Sequence, residues 1–318
     1  MKIKSNFKVI APATISDLGC GLDTFGIALT AVYDEVLVKP SNKDHITIQE
    51  ITSSKMPIPL ETEQNAAGVA AQAVLNHLKE QHGLESKWGL NLSLRKKVAV
   101  GHGLGSSAAS AVAAAVAVNA AFGNLLEKRE LLPFILQGEQ IAEGQTRINA
   151  LVPALLGGMF LVRNHEHLDF HRLPLFRGLQ IVVIYPRNNK QTQKDRRPQL
   201  PQNFALEVAR EQAAQTAALV QAFCTSNLSL LSSAISNNTV EEYWKKETPL
   251  FKELKEAALN NRALGCSLAG KGTAVFALCK NSLEAEQVEE AMKQIYSKNK
   301  VRHTSFVSGI DHEGAVIA

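Results

Sequence analysis

The sequence predicts an α+β protein of two domains, and three observations carry that prediction. Its 318 residues are about twice the length of a typical single domain. Short runs of strand-type residues alternate with helical patterns along the whole chain. The last third closes as helix, strand, helix, strand, an order that suits an α+β sandwich. The division is placed near His165–Phe170, which gives domains at residues 1–165 and 166–318.

The elements follow in order. Phe7–Ala11 and Glu35–Lys39 read as strands, and His45–Ile51 alternates as a half-buried strand does. Asn65–Lys79 places Ala66, Val69, Ala70, Ala73, Val74 and Leu78 on one helical face. Leu90–Leu94 alternates again. The glycine-rich stretch Val98–Ser110 leads into a long alanine-rich helix with Asn119 and Gly123 near its end, and Lys128–Glu143 reads as the next helix. Leu179–Tyr185 is a buried strand stopped by Pro186. Helices at Ala205–Phe223, Leu250–Asn260 and Leu283–Tyr296 and strands at Thr273–Cys279 and Arg302–Ser308 complete the chain.

Composition narrows the class. With 45% hydrophobic and 20% charged residues, the chain is neither disordered, collagen-like nor of low complexity. Cys20, Cys224, Cys266 and Cys279 are far apart, so they form neither a disulfide framework nor a metal-ligand spacing. The N-terminus lacks the apolar run of a signal peptide. The longest apolar tract, Ala108–Phe122, is shorter than the roughly 20 residues a membrane span needs. A reduced, cytoplasmic protein with no membrane partner is expected.

Lys and Arg number 34 against 30 Asp and Glu, a formal net charge of +4. The stretch Pro186–Asn203 carries Arg187, Lys190, Lys194, Arg196 and Arg197 against Asp195, so it alone holds a net +4. It has no interleaved aromatics and no binding motif, which argues against nucleic acid. A cationic segment over a cleft for anionic ligands would raise their local concentration.

The strongest chemical signal is Gly101-His102-Gly103-Leu104-Gly105-Ser106-Ser107, set between a strand and a long helix. Three glycines let backbone N–H groups approach a bulky anion. Ser106 and Ser107 start the helix, where unsatisfied N–H groups and the helix dipole attract phosphate. No Gly-Lys-Ser/Thr follows, so this is not a Walker loop, and the glycine spacing is wrong for a dinucleotide fingerprint. A glycine-rich turn capped by serine before a buried helix is the plainer alternative. Mg²⁺ beside a nucleoside triphosphate needs a carboxylate. Glu139, next to the helix-weakening Gly138, is the candidate, against the plainer reading of a solvated helix residue.

The segment Gly103-Leu104-Gly105-Ser106-Ser107-Ala108-Ala109 resembles the GLGSSAA signature of the superfamily that comprises galactokinase, homoserine kinase, mevalonate kinase and phosphomevalonate kinase (the GHMP kinases). Ala99 stands where proline is usual in it. Ala11–Gly26 is similar to the homoserine kinase version of the first motif, APATSANLGxGFDxxG. Asn65–Gly68 resembles its NxAG segment and Pro153–Gly158 its PAxxGG segment, while Ala263–Gly265 and Leu268–Thr273 sit where the third motif lies. The resemblance implies a two-domain fold, with a left-handed β-α-β unit in the first domain and a ferredoxin-like second domain. It implies ATP and Mg²⁺ as cofactors. Gly101, Gly103, Leu104, Gly105, Ser106 and Ser107 would lie on phosphate, Ser106 and Glu139 on the metal, and Asn65 near the nucleotide. A homodimer is implied as well.

The substrate half departs from that pattern. Where homoserine kinases read HADN, this chain reads Arg147-Ile148-Asn149-Ala150, and where they carry Asn in the first motif it carries Asp17. Lys271 replaces a serine of the third motif. Trp244 stands at one of the two arginines that hold the substrate carboxylate in the family, for which Arg147 or Lys245 would have to substitute. Thr192 and Arg196 keep the TxxAR pattern of the other. A fork of two guanidiniums on one carboxylate is strong and directional, so the loss of one weakens or redirects recognition. Asp17, with Asp23, becomes the candidate for orienting or deprotonating the acceptor hydroxyl. The alternative is that Asp17 only caps a turn.

The function that follows is ATP-dependent phosphorylation of a small hydroxylated substrate, L-homoserine first. A GHMP-type kinase for another hydroxy or amino acid, or a nucleotide-binding homologue with reduced or lost catalysis, are the alternatives.

Overall fold

The computed structural model describes residues 4, 6–54, 56–85, 87–144, 147–187, 203–236, 241 and 245–318. The first strands are β1 (Phe7–Ser16), β2 (Phe25–Ser41), β3 (Ile46–Thr52) and β4 (Gly89–Arg95). They join β5 (Met159–Asn164), β6 (Asp169–Leu173) and the C-terminal β11 (Val316–Ile317) in a seven-stranded sheet whose main path runs β11-β1-β2-β4-β3. Among the described residues of this sheet, β3 and β4 alone pair in parallel. The helix α1 (Ala66–Gln81) carries the chain between them, which is the β-α-β unit the resemblance implied.

Around the sheet stand α2 (Ser106–Ala121), α3 (Leu132–Glu143) and the short α4 (Leu151–Leu156). In α2 every residue but Ser107 is buried. Alanines on all sides let its neighbours approach closely, and the absence of a polar face marks it as the central helix. The buried face of α1 is Ala67, Gly68, Ala70, Ala71, Val74, Leu75 and Leu78. That is turned by about one residue from the predicted face. Val69 and Ala73 are only half-buried, because α1 is covered by both α2 and α3.

The second sheet, β10-β7-β9-β8, is antiparallel and is built from β7 (Gln180–Pro186), β8 (Gly265–Leu268), β9 (Val275–Cys279) and β10 (His303–Ser308). The helices α5 (Leu206–Thr225), α6 (Leu228–Ser236) and α7 (Phe251–Asn260) lie between β7 and β8, and α8 (Ser282–Lys298) lies between β9 and β10. The strand order and connections are those of a ferredoxin-like split β-α-β. Both faces are covered. Ile181, Val183, Phe276 and Leu278 join the main core, whereas Val182, Ile184, Val275 and Ala277 pack with α7 and α8. That explains the continuous apolar run Ile181–Ile184.

The division expected at 165/166 falls inside the β5–β6 hairpin. The chain changes sheet between Leu173 and Gln180, and its last strand returns to the first sheet. The hairpin escaped prediction because Met159–Asn164 is buried on both faces at its start and does not alternate. The predicted strand at Glu35–Lys39 is the end of the 17-residue β2, and the helix predicted from Lys128 begins as a 3-10 turn before α3.

Candidate active site

The glycine loop joins β4 to α2. Gly101, Gly103 and Gly105 all have left-handed backbones, with φ of 78°, 82° and 67°. Two of them are also required by protein packing. A Cβ on Gly103 would lie 1.9 Å from the Ala269 carbonyl oxygen, and one on Gly105 would lie 2.2 Å from Thr14 Oγ1. The loop is stitched on both sides. Thr14 N–H donates to Leu104 O (3.1 Å), and Ala274 N–H donates to His102 O (3.1 Å). His102 Nδ1 lies 2.7 Å from Thr273 Oγ1, and its ring lies 4.4 Å from that of Tyr185. The loop is thus clamped between β1 and the glycine turn Ala269–Thr273 of the second sheet.

Beneath it sits a buried polar cluster that sequence reasoning missed. Lys96 Nζ donates to Ser106 O (2.6 Å), to Ser110 Oγ and to the Asp34 carboxylate. Asp34 Oδ1 accepts the backbone N–H groups of Lys97 and Val98, each at 2.9 Å. A buried ion pair needs such additional hydrogen bonds to offset its desolvation. Here they fix both ends of the loop. The available signal was the pair Asp34-Glu35 inside the strand β2, between its apolar runs.

The loop opens on a cleft of about 290 Å³, lined among others by Pro57, Ile58, Pro59, Asn65, Ser106 and Glu139. Gly101, Gly103, Leu104, Gly105 and Ser107 line it too. The cleft therefore has an apolar wall at one end and a helix N-terminus at the other, the combination a nucleoside triphosphate requires. Asn65 lines the cleft, but its side chain is engaged in holding structure. Its Oδ1 accepts from Ala67 and Gly68 as the N-cap of α1, and its Nδ2 donates to Pro59 O at 2.7 Å. Ser106 Oγ donates to Val98 O at 2.9 Å, leaving lone pairs for a further ligand. Glu139 is 7% exposed and lines the cleft, so it is not a solvated helix residue. Gly138 beside it permits close packing, since a Cβ there would lie 2.2 Å from Ala66 O.

Asp17 closes the loop between β1 and β2. Its Oδ1 accepts from Asp23 N–H (2.8 Å) and from Asn149 Nδ2 (3.1 Å). Asp17, Leu18 and Asp23 have φ of 72°, 41° and 58°, a concentration of strained backbone of the kind found at functional sites. Burial pushes the Asp17 carboxyl up to about 6, against the pull of Lys271, Arg147 and the Asn149 hydrogen bond. Asp23 is paired with Arg147 and lies 3.3 Å from Lys271 Nζ. Ser16 and Ala150, the chain neighbours of Asp17 and Asn149, line the cleft. Asp17 and Asp23 do not themselves line the cleft; the carboxylate pair lies one residue behind its wall. Thr192, Arg196 and Trp244, with most of the basic stretch 186–203, lie outside the described residues. Among the described residues, no helix is long and apolar enough to cross a membrane, and all four cysteines are free.

Comparison with known proteins agrees with this geometry. The model for the GHMP kinases N terminal domain matches residues 69–158, and that for GHMP kinases C terminal matches residues 219–298. A homoserine kinase of Chlorobium phaeovibrioides is 33% identical over 313 residues, covering 96% of this chain and 98% of that protein. One from Methanopyrus kandleri is 33% identical over 312 residues, covering 98% of each. The crystal structure of a homoserine kinase from Cytophaga hutchinsonii superposes with a TM-score of 0.93 at 34% identity, covering 100% of this chain and 99% of that one. Motifs, fold and full-length similarity lead to one assignment: the chain belongs to the GHMP kinase family, in its homoserine kinase branch, and is a phosphotransferase with an alcohol group as acceptor.

Proposed function

We propose that this protein transfers the γ-phosphoryl group of ATP to the hydroxyl of L-homoserine, giving O-phospho-L-homoserine and ADP on the route to threonine. The observation that carries the reading is a cleft lined by the glycine loop and the N-terminus of α2, with the buried carboxylate Asp17 directly behind its wall residue Ser16. Phosphoryl transfer depends mainly on positioning and charge neutralisation. The loop N–H groups and the α2 N-terminus hold the phosphates, and the apolar wall at Pro57–Pro59 takes the base. Asp17 accepts the proton of the acceptor hydroxyl as its oxygen bonds to phosphorus and the bond to the ADP oxygen breaks.

Glu139, the carboxylate among the described residues that line the cleft, suits Mg²⁺ together with the Ser106 hydroxyl, since Mg²⁺ binds through one or two carboxylates plus substrate phosphates. When bound there it would neutralise phosphate charge. Thr192 and Arg196 are proposed for the acceptor's polar groups, with Arg196 on its carboxylate. A homodimer in the cytoplasm is the proposed working form.

The test is ADP release measured by a coupled assay with homoserine, threonine, serine and simple alcohols offered separately. Homoserine-dependent release supports the proposal. Release with another acceptor alone, or ATP binding without turnover, refutes it.

A further inference from the structure

Lys271 is an unusual residue for its place. It sits in the turn between β8 and β9, flanked by Gly270 and Gly272, and its side chain is 6% exposed. The turn belongs to the second sheet, yet it is bound to the first half of the chain. Gly270 N–H donates to Ser16 O (3.1 Å), and a Cβ on Gly272 would lie 1.9 Å from the His102 carbonyl. From there the Lys271 ammonium reaches Asp23 Oδ1 at 3.3 Å. Asp23 in turn donates its backbone N–H to Asp17 Oδ1.

A buried ammonium is retained only where it is paired. This one is brought to the carboxylate loop by a turn that also clamps the phosphate loop, so a single short segment touches both halves of the transfer site. We propose that Lys271 is a positioning residue for the acceptor step, anchoring Asp23 and thereby holding the Asp17 carboxylate directly behind the wall of the cleft. The inference rests on the reading of Asp17 as the group that takes the hydroxyl proton.

The electrostatic consequence is distinct from a packing role. The groups facing Asp17 are Asp23 on its own loop, Arg147 and Asn149 from the segment before α4, and Lys271 from the β8–β9 turn. His165 is near enough for its own affinity for protons to be lowered, first by burial and then by Arg147 and Lys271. Burial raises the Asp17 carboxyl, and Lys271 is the largest influence opposing it. Arg147 still holds Asp23 when Lys271 is removed, so the loop keeps one of its two clamps.

The experiment is the pH dependence of kcat, from pH 5 to 9 with saturating homoserine and ATP, for Lys271→Met, Lys271→Arg and Asp17→Asn. Lys271→Met is expected to move the acid limb up by about one pH unit, which lowers kcat about twofold at pH 7 and about fivefold at pH 6. Lys271→Arg keeps the limb near its original position, and KM for ATP changes less than about threefold in both variants. If Lys271→Met does not fold, Lys271→Gln replaces it and must shift the limb in the same direction. An unshifted limb in the uncharged variant, with Asp17→Asn inactive, overturns the proposal alone. A fully active Asp17→Asn overturns the reading of Asp17 beneath it.

Discussion

Asn149 donates from Nδ2 to the Asp17 carboxylate across 3.1 Å, joining two segments 132 residues apart in the chain. The two residues are also where the sequence departs from the homoserine kinase motifs in opposite senses, with a carboxylate gained at 17 and one lost at 149. In space the gain and the loss meet, so the carboxylate at 17 faces the carboxamide at 149.

That contact is testable as a pair. Asp17→Asn should lower kcat by about 10²- to 10⁴-fold, the usual contribution of a positioned base. Adding Asn149→Asp in the same chain should recover at least about tenfold, because the carboxylate returns to the same contact from the other side. A double variant no better than the single one means that the contact is only structural.

The pH profile has a predicted sign. With its carboxyl raised to about 6, Asp17 loses its ability to accept a proton as pH falls through that value, so kcat should drop on the acid side. Stability runs the opposite way. A carboxyl whose folded value lies above its unfolded 3.8 holds its proton more tightly in the folded chain. Its contribution to stability is present below about 3.8 and is lost as pH rises to about 6. Asp17→Asn removes the burden of the buried charge, so its melting temperature at pH 7.5 should exceed that of the parent while its activity falls. Thermal melts at pH 7.5 on both proteins check this.

Gly103→Ala should abolish productive ATP binding. The new methyl group would meet Ala269 O at 1.9 Å and Gly272 N at 2.8 Å, at a backbone φ of 82°. An L-residue there costs about 1–2 kcal/mol before any clash. KM for ATP should rise by more than about tenfold while homoserine affinity changes less, as read by initial rates with each substrate varied.

Lys96→Met leaves the buried Asp34 carboxylate without its cation and should destabilise the fold by about 3–5 kcal/mol in denaturant unfolding. Asp34 would still accept two backbone N–H groups and the Ser110 hydroxyl. The double variant Lys96→Met/Asp34→Asn should therefore be more stable than Lys96→Met alone. It should still bind ATP poorly, because the loop ends lose their anchor.

Much of this was legible in the sequence, for identifiable reasons. The three glycines followed by Ser106 and Ser107 announced a left-handed loop at the start of a helix that lines the cleft, since backbone conformation is a local property. The unbroken apolar run Ile181–Ile184 announced a strand covered on both faces. What the sequence concealed was close approach between distant segments. Gly103 and Gly105 looked like glycines for a ligand, but their Cβ positions are occupied by Ala269 O and Thr14 Oγ1. Asn65 lines the cleft as expected, and its side chain also caps α1 and holds Pro59, which the sequence did not announce. Asp34 and Lys96 are ordinary residues until they meet across 62 positions of chain. The β5–β6 hairpin spans the expected border at 165/166, and its first strand, buried at its start, does not alternate.

The central claim is that the Asp17 side of the cleft accepts homoserine and phosphorylates it. The most direct measurement is ³¹P NMR of the products formed from ATP and homoserine by the purified protein, with Asp17→Asn in parallel. The account predicts a phosphomonoester signal that grows with ADP in equal amounts for the parent protein and is reduced at least about a hundredfold in Asp17→Asn. Release of inorganic phosphate without the ester, or equal ester formation by both proteins, would contradict it.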